Sequence, residues 1–213
     1  MTERQPTDAR QVQIAEAALR VIASKGLGGF TAAAIARVVG LTDGSLFRHF
    51  PTKQAIVRAA IERAGELLFD GFPPSDGGAL ERLGSFFRQR VRLIAKHPGI
   101  ARIVFSEQLA QAGGAAGKEA VAQLKQRSSE FIRGCIEQAA AEGLLVEGLN
   151  PEAVTKLVGG AALAIVFMED PKRDAAQVLE QAEEVWSTLE RLIRRPAGEP
   201  GGPPARAARV KAR

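Results

Sequence analysis

The sequence has a single cysteine, Cys135, no tyrosine, only two histidines, His49 and His97, and no uninterrupted apolar run of membrane-spanning length. One thiol excludes an intramolecular disulfide and gives no argument for an oxidising compartment. Two histidines without spaced cysteine or carboxylate partners form no metal-ligand set, so neither a metal nor a cofactor is assigned. Charged or polar residues break every apolar segment before about 20 residues, which excludes a bilayer-spanning helix. No basic-then-apolar leader opens the chain. The expectation is a cytoplasmic protein with no membrane partner. Catalytic pairing is absent too: Cys135, Ser106 and Glu107 have no base or nucleophile at a matching spacing, so the chain is not read as an enzyme.

What is present is a hydrophobic fraction of 46% over 213 residues, enough for one large or two small cores. The net charge of +5 is uneven. Residues 1–53 carry seven Lys/Arg against four Asp/Glu, residues 54–195 carry 18 against 19, and residues 196–213 carry four against one. A basic head fits a nucleic-acid partner, although the excess alone is weak evidence. No alternating apolar pattern with turn chemistry supports a sheet, and no fixed-length repeat is evident, so the fold class is all-α.

A first helix is expected over residues 8–25, with Ile14, Ala18, Val21 and Ile22 inward and Gly26 as its stop. The loop Gly26-Leu27-Gly28-Gly29 lacks the preceding strand of a nucleotide-binding turn and reads as a connection between helices. Thr31 opens a second helix to Val39 as N-cap, Gly40 ends it in the left-handed conformation, and Thr42 caps a third. Two helices across a tight glycine turn make a helix-turn-helix. Leu46 and Phe50, four apart, turn inward together and leave Asp43, Gly44, Ser45, Phe47, Arg48 and His49 on the other arc. Pro51 stops that helix, Thr52 caps the next, and Lys53 stands in its first turn. A cation there opposes the helix dipole, which a phosphate partner explains better than helix stability does.

The run Phe30-Thr31 through Ile35-Ala36, Gly40-Leu41-Thr42, Gly44-Ser45-Leu46-Phe47-Arg48-His49-Phe50 and Lys53 resembles the N-terminal domain of the TetR family of bacterial transcriptional regulators. The resemblance covers about a quarter of the chain. It implies about nine helices, a homodimer, and a larger C-terminal domain whose ligand releases the protein from a double-stranded DNA operator. On that basis residues 1–53 are the three-helix DNA-binding domain, 54–195 the effector-binding and dimerisation domain, and 196–213 a disordered basic tail. Expected DNA contacts are Thr31, Thr42, Asp43, Gly44, Ser45, Phe47, Arg48, His49 and Lys53. Arg48 matches guanine or a phosphate bidentately, against the alternative of a solvated side chain. Asp43 departs from the family; capping the helix is favoured over accepting from a cytosine amino group. Phe47 stands where the family usually has tyrosine, and loses a hydroxyl that would hold a phosphate. His49 reads as a phosphate contact or as a packing imidazole.

Further helices are expected over 53–72, 79–96, 98–111, 117–142, 150–169 and 174–194. The first of these should bridge the two domains. Without tyrosine, a pocket would be apolar with few polar anchors, so a small hydrophobic or aromatic effector is expected. Its candidate residues are Phe86, Arg90, Phe105, Gln108, Phe131, Cys135 and Phe167. Glycines inside a helix cost about 1 kcal/mol each, so Gly159 and Gly160 point to a close helix–helix approach. By resemblance, Gly159, Gly160 and Leu163 with Val178, Ala182, Val185, Trp186 and Leu189 would form a dimeric four-helix bundle; packing within one chain is the alternative.

Three function classes meet these residues: a ligand-responsive regulator, an enzyme and a helical adaptor. The edge Gly44-Ser45-Phe47-Arg48-His49 followed by Lys53 favours the first, because neither of the others has a use for it. The preferred form is a repressor reading a pseudo-palindrome; an effector-promoted DNA binder or an activator is the alternative.

Overall fold

The computed structural model describes residues 7–167 and 174–196. Ten helices occur among them and no strand: α1 (Thr7–Lys25), α2 (Ala32–Val39), α3 (Asp43–His49), α4 (Lys53–Phe69), α5 (Ala79–Lys96), α6 (Pro98–Phe105), α7 (Glu107–Ala112), α8 (Gly114–Ala141), α9 (Pro151–Phe167) and α10 (Ala175–Ile193). The break at Asp170-Pro171 and, apart from Pro196, the tail at 196–213 lie outside the described residues.

The N-terminal segments begin and end where their chemistry directs. Thr31, Thr42 and Thr52 each cap a helix, their hydroxyls accepting from the amides of Ala34, Ser45 and Ala55 at 3.1, 3.2 and 3.0 Å. Each such cap is worth about 1 kcal/mol. Gly40 closes α2 at φ 67°, a left-handed conformation that costs other residues strain. At seven residues α3 is too short to hold itself together in water. The burial of Leu46 and Phe50, 0% and 9% exposed, anchors it instead, at roughly 1.5–3 kcal/mol for each large apolar side chain.

Three boundaries differ from expectation, one of them the start of α8 at Gly114 rather than residue 117. The helix expected over 98–111 is two, because Ser106 takes an extended conformation and its hydroxyl accepts from the Leu109 amide, starting α7. The bridging helix stops at Phe69 rather than Phe72; Phe72 precedes Pro73, whose ring disfavours helical backbone at the residue before it.

Two apolar cores organise the packing. The first gathers Ile14, Ile22, Phe30, Ile35, Leu46 and Ile61 from α1 to α4 and extends through Ile103 and Leu109 to Val121 at the start of α8. The second gathers α5, the later turns of α8, α9 and α10 around Leu83, Phe87, Ile136, Val158 and Trp186. Helix α1 packs behind α2 and α3, as its periodicity requires, and also reaches α4 and α6.

Candidate nucleic-acid interface and effector cavity

Helix α3 presents its polar arc outward. Asp43, Gly44, Phe47 and Arg48 are exposed, Ser45 and His49 are half-buried, and Leu46 faces the core. An added Cβ at Gly44 would meet no atom within 4 Å, so the backbone there is open to close approach. Arg48 Nη2 donates to Ser45 Oγ at 3.2 Å, which holds the guanidinium against the same edge. The cap of α3 comes from Thr42, not from Asp43. Asp43 lies in the first turn, where its carboxylate is favourable to the helix dipole. Thr31 and Lys53 are exposed at the starts of α2 and α4. Lys53 has a partner within the chain, since its ammonium sits 5.4 Å from the centroid of the buried Phe30 ring.

A contact not anticipated from sequence secures this edge: Gln11 Nε2 on α1 donates to the His49 carbonyl at 3.3 Å. It ties the last turn of α3 to the helix behind it. No periodicity signals such a bond, because a glutamine on a helix face gives no indication of a partner 38 residues away.

The second site is a cavity of about 290 Å³ among α5, α6, α8 and α9. Of the seven residues expected to line a pocket, Phe86, Arg90 and Phe105 do so. The other four lie elsewhere. Cys135 is 2% exposed in the second core, where burial pushes its thiol above the ordinary range and keeps it protonated. Phe131 turns into an aromatic cluster, 4.9 Å from Phe72 and 5.0 Å from Phe86 between centroids. Gln108 is exposed on α7, because the break at Ser106 re-aims that segment. Phe167 is 52% exposed and meets the edge of Phe105 at 6.5 Å without reaching the lining.

The lining instead includes polar and cationic residues that sequence reasoning missed: Lys125, Ser128, Thr155 and Lys156. All sit on helices where solvation is the ordinary expectation, so no sequence signal sets them apart. Arg90 is the only charged residue buried among those described, at 7% exposure. Its Nη1 donates to the Leu68 carbonyl at 2.6 Å and its Nη2 to Ser128 Oγ at 3.5 Å. Burial, and secondarily repulsion from Arg127, lowers its pKa to about 10, which leaves it cationic at neutral pH.

The residues expected at a dimer interface divide. Ala182 and Trp186, 1% and 2% exposed, belong to the chain's own core; a buried side chain has no surface to offer a second copy. Val178, Val185 and Leu189 pack partly on that core. Gly159 and Leu163 lie on the cavity lining. An added Cβ at Gly159 or Gly160 would meet no atom within 4 Å, so no helix of this chain presses against either glycine. Among the described residues no helix is long and apolar enough to cross a membrane, and no cluster of three metal-ligating side chains occurs.

A capped helix-turn-helix on a short outward-facing helix, joined by α4 to a helical body with an apolar cavity, defines a DNA-binding regulator. The model for bacterial regulatory proteins of the tetR family matches residues 14–60, from α1 into α4. Over those residues the chain is similar to the DNA-binding segment of TetR-family regulators. It is 28% identical over 175 residues to the nucleoid occlusion factor SlmA of Marinobacter nauticus, covering 79% of this chain and 84% of that protein. Its fold is that of the ketosteroid transcriptional regulator KstR2 of Mycobacterium tuberculosis, with TM-score 0.76, 19% identity, and 88% and 96% of the two chains covered. The transcriptional regulator FadR of Bacillus subtilis, solved with stearoyl-CoA, is similar at TM-score 0.64 and 20% identity over 85% of this chain and 98% of that one.

Proposed function

We propose that this protein is a cytoplasmic homodimeric repressor that binds a pseudo-palindromic operator and is released by a small hydrophobic effector. The observation that carries the reading is the exposed edge of α3, with an open Gly44, a Ser45–Arg48 pair and Phe47 outward while Leu46 is buried. In this reading residues 1–53 bind DNA and residues 54–195 bind the effector and the second copy. Arg48 contacts a base or a neighbouring phosphate, Gly44 and Ser45 approach the groove, Phe47 packs on a sugar or a thymine methyl, and Thr31, Thr42, His49 and Lys53 hold the backbone. Two copies place two such helices about one helical turn of DNA, or a small multiple, apart. The open faces of Gly159 and Gly160 on α9 and the partly exposed Val178, Val185 and Leu189 on α10 supply the surface for a second copy.

The effector occupies the α5–α6–α8–α9 cavity. Helix α4 starts beside α3 and ends against α5, so an effector that shifts its far end changes the separation of the two recognition helices. A titration of the protein against DNA flanking its own gene at several salt concentrations, with Arg48→Ala alongside, tests the reading. Sequence-specific binding weakened about tenfold or more by Arg48→Ala is expected, the loss of one bidentate contact. Binding indifferent to both sequence and Arg48 would overturn it. Tighter binding on effector addition would identify an effector-promoted binder or an activator instead. A second reading, in which DNA binding serves nucleoid occlusion, is favoured by the likeness to SlmA over most of the chain. Its distinguishing result is occupancy of many sites spread over the chromosome, with affinity insensitive to apolar ligands.

A further inference from the structure

Arg90 is a buried cation without an anion. Among the described residues it makes no ion pair, and no acidic residue lines the cavity it faces, whereas Lys125 and Lys156 do. Asp70 borders the neighbouring groove that Arg90 also lines, but forms no ion pair with it. Among the described residues, the charge that perturbs Arg90 is another guanidinium, Arg127. The two flank the same ring, with Arg90 4.7 Å and Arg127 4.0 Å from the Phe69 centroid, and Arg90 also lies 4.7 Å from Phe86. Cation–π contacts stabilise a guanidinium but leave its charge uncompensated. A buried charge is costly unless paired, and here the buried guanidinium on the apolar cavity has a like charge, Arg127, as its neighbour. Only two of the five N–H donors of Arg90 reach a protein acceptor, Leu68 O and a long contact to Ser128 Oγ.

We infer that the effector is an amphiphilic anion, an apolar body ending in a carboxylate or phosphate, whose head group is bound by Arg90 in competition with the Leu68 carbonyl. This rests on the reading of the cavity as the effector site. The apolar body fills the space bounded by Phe86, Ile100, Val104 and Val158. The competition gives the site its regulatory connection, because Leu68 lies in the last turn of α4, where carbonyls have no intrahelical partner. Arg90 supplies that partner in the empty protein. A carboxylate or phosphate compensates the guanidinium charge and can accept two parallel N–H bonds, which the neutral Leu68 carbonyl cannot, so head-group binding frees the end of the helix whose other end adjoins α3.

The test compares decanoate, decyl phosphate, methyl decanoate and decanol as probes of the full-length protein without DNA, by calorimetry and by fluorescence of the single tryptophan, Trp186, whose ring packs against Phe87 of the lining. At least one anion should bind about tenfold or more tightly than both neutral probes, the scale of one bond to a charged group. Which of the two anions it is identifies the head group. In Arg90→Gln the ratio should fall to about one, and in Arg90→Lys to an intermediate value, with circular dichroism verifying the fold of each. Equal binding of anions and neutral probes, no saturable binding of either anion, or a preference that survives Arg90→Gln would overturn the inference. If Arg90→Gln does not fold, the wild-type ratio and Arg90→Lys decide. The preferred anion should also weaken DNA binding. Anion-selective binding that leaves DNA affinity unchanged would overturn the coupling through Leu68 and the regulatory reading of the cavity, whereas loss of selectivity overturns the ligand class alone.

Discussion

Replacing Phe47 by tyrosine should strengthen DNA binding. Phe47 lies in the middle of α3 and is 42% exposed, so a hydroxyl added at the far end of its ring enters solvent and disturbs no packing. The free protein should therefore keep its stability within about 0.5 kcal/mol, the usual range for surface changes. In the complex the hydroxyl can donate to a backbone phosphate oxygen. The net worth of one such bond is about 1 kcal/mol, or about fivefold in Kd. No charge is added, so the slope of log affinity against log salt should not change. Neutralising one further phosphate with a cation would steepen that slope by about 0.9. The assay is a fluorescence-anisotropy titration of a labelled operator at three or more salt concentrations, with wild type and Phe47→Tyr in parallel and a thermal melt of each. Unchanged or weaker affinity at fixed salt would refute the placement of this ring beside a phosphate. A gain accompanied by a steeper slope would refute the hydrogen-bond account.

Two glycine substitutions should act oppositely. Gly84→Ala places a Cβ 2.7 Å from Trp186 Nε1 in a filled core, and should lower stability by about 1–3 kcal/mol, read from denaturant unfolding with tryptophan fluorescence. Gly160→Ala meets nothing within its own chain and gains about 1 kcal/mol of helix propensity, yet should weaken self-association in sedimentation if α9 pairs closely with its copy; an unchanged or tighter dimer would refute that pairing. His97, at the corner between α5 and α6, has its pKa lowered by burial first and by Lys96 next, so the unfolded chain takes up its proton more readily than the folded one. Its contribution is therefore fully present above the unfolded value near 6.5 and is lost as pH falls from there toward the folded value, below which the loss is complete. His97→Asn should flatten that part of the stability–pH curve, and an identical curve would refute the assignment.

Local chemistry was sufficient for the helix-turn-helix and the outward edge of α3. Caps at Thr31, Thr42 and Thr52, the left-handed Gly40, and the spacing of Leu46 and Phe50 act over three or four residues, so they are legible in the chain and recur in the structure. The all-helical class and most helix boundaries follow from the same short-range periodicity. Tertiary structure decided what depends on separations of tens of residues. It split the segment 98–111 at Ser106, put Cys135, Ala182 and Trp186 in the core, and turned Phe131 away from the cavity. It also brought Arg90 to the end of α4 between Phe69 and Phe86, with Arg127 as its charged neighbour and no carboxylate paired to it. An apolar or cationic residue on a helix face looks the same in sequence whether it meets the core, a cavity or water. Which of these it meets is fixed by the neighbouring helices, whose positions come from packing many side chains together rather than from any local signal.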